Sequence, residues 1–151
     1  MHLIRNSLLL STAFALSVVV FASEPITTIA ITASDTLRFN VTHIEARPGQ
    51  KMHIVLHNAS SLPKSVMGHN WVLLRAGQDP TAYAAGALTA VAENYEPKAL
   101  AGRVIAAVPL LGGGETGEVT FAAPAEAGTY AFLCSSPGHC ASGMRGVLVV
   151  R

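Results

Sequence analysis

Three side chains that bind soft metals lie close together near the C-terminus: Cys134, His139 and Met144. Redox-active copper favours such ligands, and a blue-copper site has one thiolate and two imidazoles in a plane, with a weak axial thioether. The segment therefore supplies all but one nitrogen of such a site. Residues 128–134 and 145–151 are predicted as β-strands, which would place the three side chains on one loop between two strands.

The missing imidazole must come from elsewhere in the chain. His69 follows Gly68 and immediately precedes the predicted strand at residues 70–75. This position, at the start of a strongly apolar strand, makes His69 the candidate. The histidines at 43, 53 and 57 have no comparable setting and are predicted to be solvated strand residues.

A second cysteine, Cys140, directly follows His139. Two cysteines in an exported protein ordinarily predict a disulfide, but the density of metal-binding types in this loop favours a free thiol at Cys140. Three alternatives stay open: a copper delivery or storage protein, a zinc module that uses Cys140, and a dithiol oxidoreductase. The last is disfavoured because Cys134 and Cys140 do not form a Cys-x-x-Cys motif.

The N-terminus predicts export to the periplasm. Residues 1–22 combine a basic start at Arg5, an apolar stretch and a small-residue end at Ala22, a pattern typical of a cleaved signal peptide. An uncleaved anchor is disfavoured because about 15 apolar residues fall short of the roughly 20 that span a bilayer. Removal of the leader leaves nine basic and nine acidic residues, so no nucleic-acid partner is expected.

Residues 23–151 are long enough for one domain. Most of it predicts short strands separated by Gly and Pro turns, and alternation is clearest where Met52, Ile54 and Leu56 would face a core. This pattern indicates a one-side-buried antiparallel sheet and an all-β, two-sheet Greek-key sandwich. The predicted strands cover residues 26–32, 36–40, 51–57, 70–75, 118–122, 128–134 and 145–151.

One segment departs from the strand pattern. Residues 79–94 are rich in alanine, with Asp79 placed to cap a helix and Pro80 at its first position. We therefore predict a short helical flap inserted between strands, packed as a lid on the sandwich.

Several motifs in the same order resemble azurin, a bacterial cupredoxin. They are Leu-Pro-Lys at 62–64, Met-Gly-His-Asn-Trp-Val-Leu at 67–73, Arg-Val-Ile-Ala at 103–106, Glu-Val-Thr-Phe at 118–121 and Phe-Leu-Cys-Ser-Ser-Pro-Gly-His at 132–139. The resemblance implies one type 1 copper ion, with His69, Cys134 and His139 as equatorial ligands and Met144 as the axial ligand. It also implies the Gly68 carbonyl as a distant second axial oxygen.

The resemblance further implies how the thiolate is supported. In azurins, two backbone N–H groups donate to the copper thiolate, and here they belong to Asn70 and Ser136. Because the proline stands one place later, at Pro137, both donors are retained. Two such bonds would tune the reduction potential.

Three departures from the azurin pattern are visible. Four residues rather than three separate His139 from Met144, a spacing closer to auracyanin. Ile26 and Gly49 stand near the positions of the azurin disulfide, and loss of that bridge is expected to cost about 2–4 kcal/mol. Asn58 replaces a histidine that azurins often bury, so no pH switch is expected there.

The predicted function is single-electron transfer without enzymatic activity. Four protein ligands leave no open position on the metal for substrate or water. We expect His139 to be the electron port within an apolar patch, and weak, transient docking of a c-type cytochrome or a copper or haem reductase or oxidase to a monomer. The predicted patch comprises Leu62, Val66, Met67, Pro137 and Gly138.

Overall fold

The computed structural model describes residues 25–151, and these residues form two β-sheets. The leader predicted at residues 1–22 lies outside them, so it stays a prediction. None of the described helices is long and apolar enough to cross a membrane. The strands are β1 (Thr27–Ser34), β2 (Arg38–Phe39), β3 (His43–Ala46), β4 (Lys51–Asn58), β5 (His69–Leu74), β6 (Val104–Leu111), β7 (Thr116–Ala122), β8 (Gly128–Leu133) and β9 (Arg145–Val150).

The strands are ordered β2-β1-β4-β7 in one sheet and β3-β9-β8-β5-β6 in the other. The chain crosses between the sheets repeatedly, which confirms the predicted Greek-key sandwich. The predicted antiparallel pairing holds between β4 and β7 but is wrong between β4 and β1, which pair in parallel. The β1–β4 ladder runs from Thr27 opposite Met52 to Ala33 opposite Asn58. Its hydrogen bonds therefore join the segments that follow Ile26 and Gly49, the residues that stand near the positions of the azurin disulfide.

The core lies between the sheets, as the alternation predicts. Met52, Ile54 and Leu56 of β4 are all fully buried. From the opposite sheet, Trp71 and Phe132 pack against them in the same cluster, with ring centroids 5.4 Å apart. Burial of these large side chains contributes to the apolar stabilisation of the sandwich.

Two strands, β3 and β6, were not predicted, and they form the two edges of the five-stranded sheet. The sequence of β3, His-Ile-Glu-Ala, is short and half polar, while β6 contains Pro109. Proline is tolerated at an edge, where its missing N–H breaks no ladder. These two edge strands therefore carried a weak sequence signal.

Two short helices lie outside the sheets, α1 (Lys64–Met67) and α2 (Pro80–Ala87). Asp79 caps α2 as predicted, because its side chain accepts a hydrogen bond from the Thr81 N–H at 2.9 Å. The helix is shorter than expected: it ends at Ala87, and 3-10 turns at Val91–Glu93 and Lys98–Arg103 follow. We call residues 79–103 the flap.

Candidate metal centre

The two parts of the predicted site, His69 and the loop that begins at Cys134, are far apart in the sequence but meet at one end of the five-stranded sheet. His69 is the first residue of β5, and Cys134 directly follows β8, its neighbour in the sheet. The pairing of β5 with β6 shifts register between His69 and Trp71. This bulge lies at the strand end that carries His69, and bulges commonly re-aim side chains next to functional sites.

Three of the predicted ligands converge. The Nδ1 atoms of His69 and His139 lie 3.2 Å apart, and the Cys134 Sγ lies 3.9 Å from the first and 3.4 Å from the second. All three residues are buried, and their donor atoms fall within 4.8 Å of one another. Among the described residues this is the one cluster of three or more His, Cys, Asp or Glu side chains that could hold a metal ion.

Burial favours the neutral form of both imidazoles, which is the form that binds a metal. The pKa of His69 is lowered to about 4, chiefly by burial and secondarily by the nearby charge of His139, against the opposing effects of Asp35 and the Ser34 backbone. Burial also lowers the pKa of His139. The neutral form leaves one ring nitrogen free to bind a metal, and the two Nδ1 atoms lie close enough together to share one cation.

The thiol of Cys134 is fully buried, and burial raises its pKa. Backbone hydrogen bonds from Asn70 and Ser136 oppose that shift, as does the Ser136 hydroxyl. The two backbone donors are the ones that the resemblance implied, so that expectation is confirmed. They favour the thiolate, which is the form of cysteine that ligates metals.

A pair of hydrogen bonds fixes the first histidine strand to the cysteine. The Asn70 side chain accepts from the Ser135 N–H at 2.8 Å and donates to the Ser135 hydroxyl at 2.7 Å. Both residues are fully buried and each directly follows a predicted ligand. These two hydrogen bonds fix the segment of His69 relative to that of Cys134.

Met144, the predicted axial ligand, lies at the end of the loop and is fully buried. Its carbonyl accepts from the Cys134 N–H at 3.0 Å, and its own N–H donates to the His139 carbonyl at 3.0 Å. The loop thus closes on itself in spite of the extra residue before Met144. Ligation by the thioether stays a prediction.

The Gly68 carbonyl, the implied second axial oxygen, already accepts a hydrogen bond from the Ser136 hydroxyl at 2.7 Å. Glycine is required at this position by a close approach, since a Cβ atom would lie 2.5 Å from the Lys64 carbonyl oxygen. Its axial role also stays a prediction. What the structure adds is a second link, through Ser136, between the two ligand segments.

Cys140 turns away from this cluster. Both cysteines are free, and Cys140 packs in a separate apolar cluster beneath α2 with Tyr83 and Leu133. Of the other histidines, His43 and His57 are exposed, as predicted, whereas His53 is half-buried between the side chains of Thr28 and Glu118. None of them belongs to the metal cluster.

His139 is the ligand that approaches the surface, with 7% of its area exposed. In the predicted patch, Met67 is half-buried and the other four residues are exposed. The flap adds one residue that was not predicted: Leu88 is exposed and lines a cavity of about 240 Å³ with Gly138 of the patch. Val91, also exposed, lines a separate cavity of about 700 Å³ with Pro63, next to Leu62 in the sequence. Their apolar character directly after α2 and at the start of the following 3-10 turn was the available signal.

One buried thiol and two buried imidazoles with their donor atoms close together fit copper, which accepts sulfur and nitrogen ligands together, and no carboxylate contributes to the cluster. Placed at one end of a two-sheet Greek-key sandwich, this donor set defines a cupredoxin-type copper centre.

Comparison with known proteins agrees. A profile of copper binding proteins, the plastocyanin/azurin family, matches residues 26–151. Azurin from Pseudomonas fluorescens biotype A is 40% identical over 82% of this chain and 97% of its own, and auracyanin-A from Chloroflexus aurantiacus is 40% identical over 85% and 76%. The chain therefore belongs to the plastocyanin/azurin family, as the motifs predicted, and binds one copper ion.

Solved structures give the same result. Reduced auracyanin from Roseiflexus castenholzii superposes with a TM-score of 0.72 at 32% identity, covering 83% of this chain and 97% of that one. Auracyanin A from Chloroflexus aurantiacus, described as a "blue" copper protein, superposes with a TM-score of 0.71 at 37% identity, covering 84% and 100%.

Proposed function

We propose that this chain is a periplasmic blue-copper electron carrier that exchanges single electrons between redox proteins through His139. The observation that carries the proposal is the burial pattern of the ligand cluster. His69, Cys134 and Met144 are each 0% exposed, whereas His139 retains 7% exposure beside apolar surface. A centre closed to substrates and open at one imidazole edge suits electron exchange better than bond-making chemistry.

Bound copper supplies the one-electron redox chemistry. The protein residues supply a fixed site, because Asn70 and Ser136 hold the cysteine loop against the strand of His69. A site that is set before the metal binds changes little between oxidation states. The protein thus keeps the reorganisation cost of electron transfer low.

Copper addition tests the proposal directly. The metal-free protein is titrated with Cu(II), and its visible and EPR spectra are recorded. An intense thiolate-to-copper band with a narrow copper hyperfine splitting is expected at one equivalent. A copper delivery or storage protein would instead give no such band and would release the metal readily to a chelator. A colourless copper complex would overturn the proposal.

The port is tested through the apolar surface around His139. Val66, 61% exposed, belongs to this surface, whereas Ile26, 50% exposed, precedes β1 at the end away from Ser34 and His69. We expect Val66→Asp to slow electron self-exchange by about tenfold, because like charges repel across the contact. Ile26→Asp, the matched control, should leave it unchanged. Equal effects of the two substitutions would reject His139 as the port.

The partner would be a c-type cytochrome or a copper or haem reductase or oxidase, bound weakly and transiently. Small, apolar contacts of this kind are typical of electron-transfer encounters. Stopped-flow reduction by candidate cytochromes, compared between the wild type and Val66→Asp, measures whether the same surface serves them.

A further inference from the structure

The flap contains an unusual turn close to the metal centre. Asn94 and Tyr95 have φ angles of 53° and 60°, so two consecutive residues other than glycine adopt the left-handed region. This conformation is uncommon for residues with a side chain, and more so for a bulky one such as tyrosine. It persists only where surrounding contacts hold it.

One of those contacts comes from the residue that follows the copper cysteine. The Ser135 hydroxyl donates to the Tyr95 carbonyl at 2.5 Å, and Ser135 is fully buried. Because the Asn70 amide donates to the same hydroxyl at 2.7 Å, the proton of the hydroxyl is free to point only towards Tyr95. The direction of hydrogen-bond donation, from Asn70 to Ser135 and from Ser135 to Tyr95, is therefore fixed.

These contacts give Ser135 three attachments. Its backbone N–H is bound by the Asn70 side chain, its hydroxyl is bound by the same side chain, and the hydroxyl in turn holds the flap. Cys134 is covalently joined to the residue that carries all three. A displacement of the flap at Tyr95 is thus transmitted to the backbone of Cys134 through one hydrogen bond and one peptide unit.

We propose that Ser135 is a positioning residue for the copper thiolate, which it holds in place by latching Cys134 to the left-handed turn of the flap at Tyr95. The inference rests on the proposed copper function and deepens it. The orientation of the Cys134 side chain sets its overlap with copper, so the latch contributes to the reduction potential and to the uniformity of the site. A serine with a merely structural role would contribute to stability alone.

Three variants test the latch from the Ser135 side. Ser135→Ala removes the hydroxyl, Ser135→Thr retains it, and Ser142→Ala removes an exposed hydroxyl of the same loop. For Ser135→Ala we expect a shifted reduction potential, a broadened EPR hyperfine pattern and about tenfold faster hydrogen exchange of the amides at 94–96 in the metal-free protein. Ser135→Thr should restore all three readouts, and Ser142→Ala should leave them unchanged.

Two further variants test it from the flap, including the case in which Ser135→Ala does not fold. Tyr95→Val and Tyr95→Gly both remove the ring, but a β-branched residue disfavours the left-handed region whereas glycine accepts it. Only Tyr95→Val should shift the potential. A Ser135→Ala or Tyr95→Val protein with wild-type spectrum and potential, altered only in stability, would overturn the latch. Absence of a blue band in the wild type would instead reject the copper function, and the exchange rates would still test the contact.

Discussion

The side-chain amide of Asn58 donates a hydrogen bond to the carbonyl of Met67 at 3.0 Å. The same amide donates to the Leu111 carbonyl at 3.1 Å, and its oxygen accepts from the Ser60 N–H at 3.0 Å. A fully buried residue of β4 thereby holds the segment that leads into His69. At a position where azurins often have a histidine, this chain has a neutral asparagine. We call its three hydrogen bonds, to Met67, Leu111 and Ser60, the Asn58 clamp.

Asn58→Ala is expected to destabilise the protein strongly. Two carbonyls and one N–H would lose their partner in a buried setting, at about 1–3 kcal/mol for an unsatisfied group. We expect the free energy of unfolding, measured in urea on metal-free protein, to fall by about 2–4 kcal/mol. The control is Asn40→Ala, since Asn40 is exposed and accepts one bond from the Thr32 N–H. A loss no larger than that of the control would contradict the clamp.

Met144→Leu separates ligation by the thioether from packing. The exchange nearly conserves volume, so we expect the buried position to lose less than about 1.5 kcal/mol of stability. The reduction potential should rise, because loss of a sulfur donor in an apolar setting disfavours Cu(II), the more highly charged state. Voltammetry of both proteins measures the shift. An unchanged potential would show that the extra loop residue keeps the sulfur away from the metal.

Cys140→Ala should leave the copper spectrum and the potential as they are in the wild type. The Cys140 side chain packs against Tyr83 and Leu133 rather than within the ligand cluster. Removal of one buried sulfur is expected to cost about 1 kcal/mol of stability. Visible spectra and urea unfolding test the two statements separately. A lost or shifted blue band would make Cys140 part of the metal site.

Tyr83 predicts a stability loss at high pH. Its hydroxyl is buried without a hydrogen-bond partner among the described residues, and burial, aided by the charge of Glu96, raises its pKa to about 12. The pKa of tyrosine in the unfolded chain is about 10. The stability that the neutral Tyr83 hydroxyl contributes is therefore complete below pH 10 and is lost as the pH rises through 12. The midpoint temperature of thermal unfolding should therefore fall more steeply over this range for the wild type than for Tyr83→Phe. Parallel curves would contradict the shift.

The ligand set was predictable because its residues are of metal-binding types and lie within short segments of the sequence. Cys134, His139 and Met144 share one loop, and His69 opens an apolar strand, so residue type and order were enough to find them. Interior strands such as β4 were likewise visible, because burial on one face imposes a period of two.

The remaining features depend on contacts between distant segments. The edge strands β3 and β6 carried little pattern, because β3 is short and β6 contains a proline, and the parallel pairing of β1 with β4 has no local signature. The contact of Ser135 with Tyr95 joins residues 40 positions apart through a carbonyl, which every residue possesses. Backbone acceptors leave no trace in side-chain identity, so such links emerge only from the fold.

Both thiols of this chain are buried by folding itself, Cys134 at 0% and Cys140 at 1% exposure. Burial also raises the pKa of each, which lowers the thiolate fraction that oxidants attack. In an oxidising compartment the unfolded polypeptide would be prone to form a mispaired disulfide, whereas the folded apoprotein shelters both sulfurs. Rapid folding before copper binds would thus protect both thiols from oxidation. The time for which the apoprotein keeps its free thiols in air should therefore increase with its stability against unfolding.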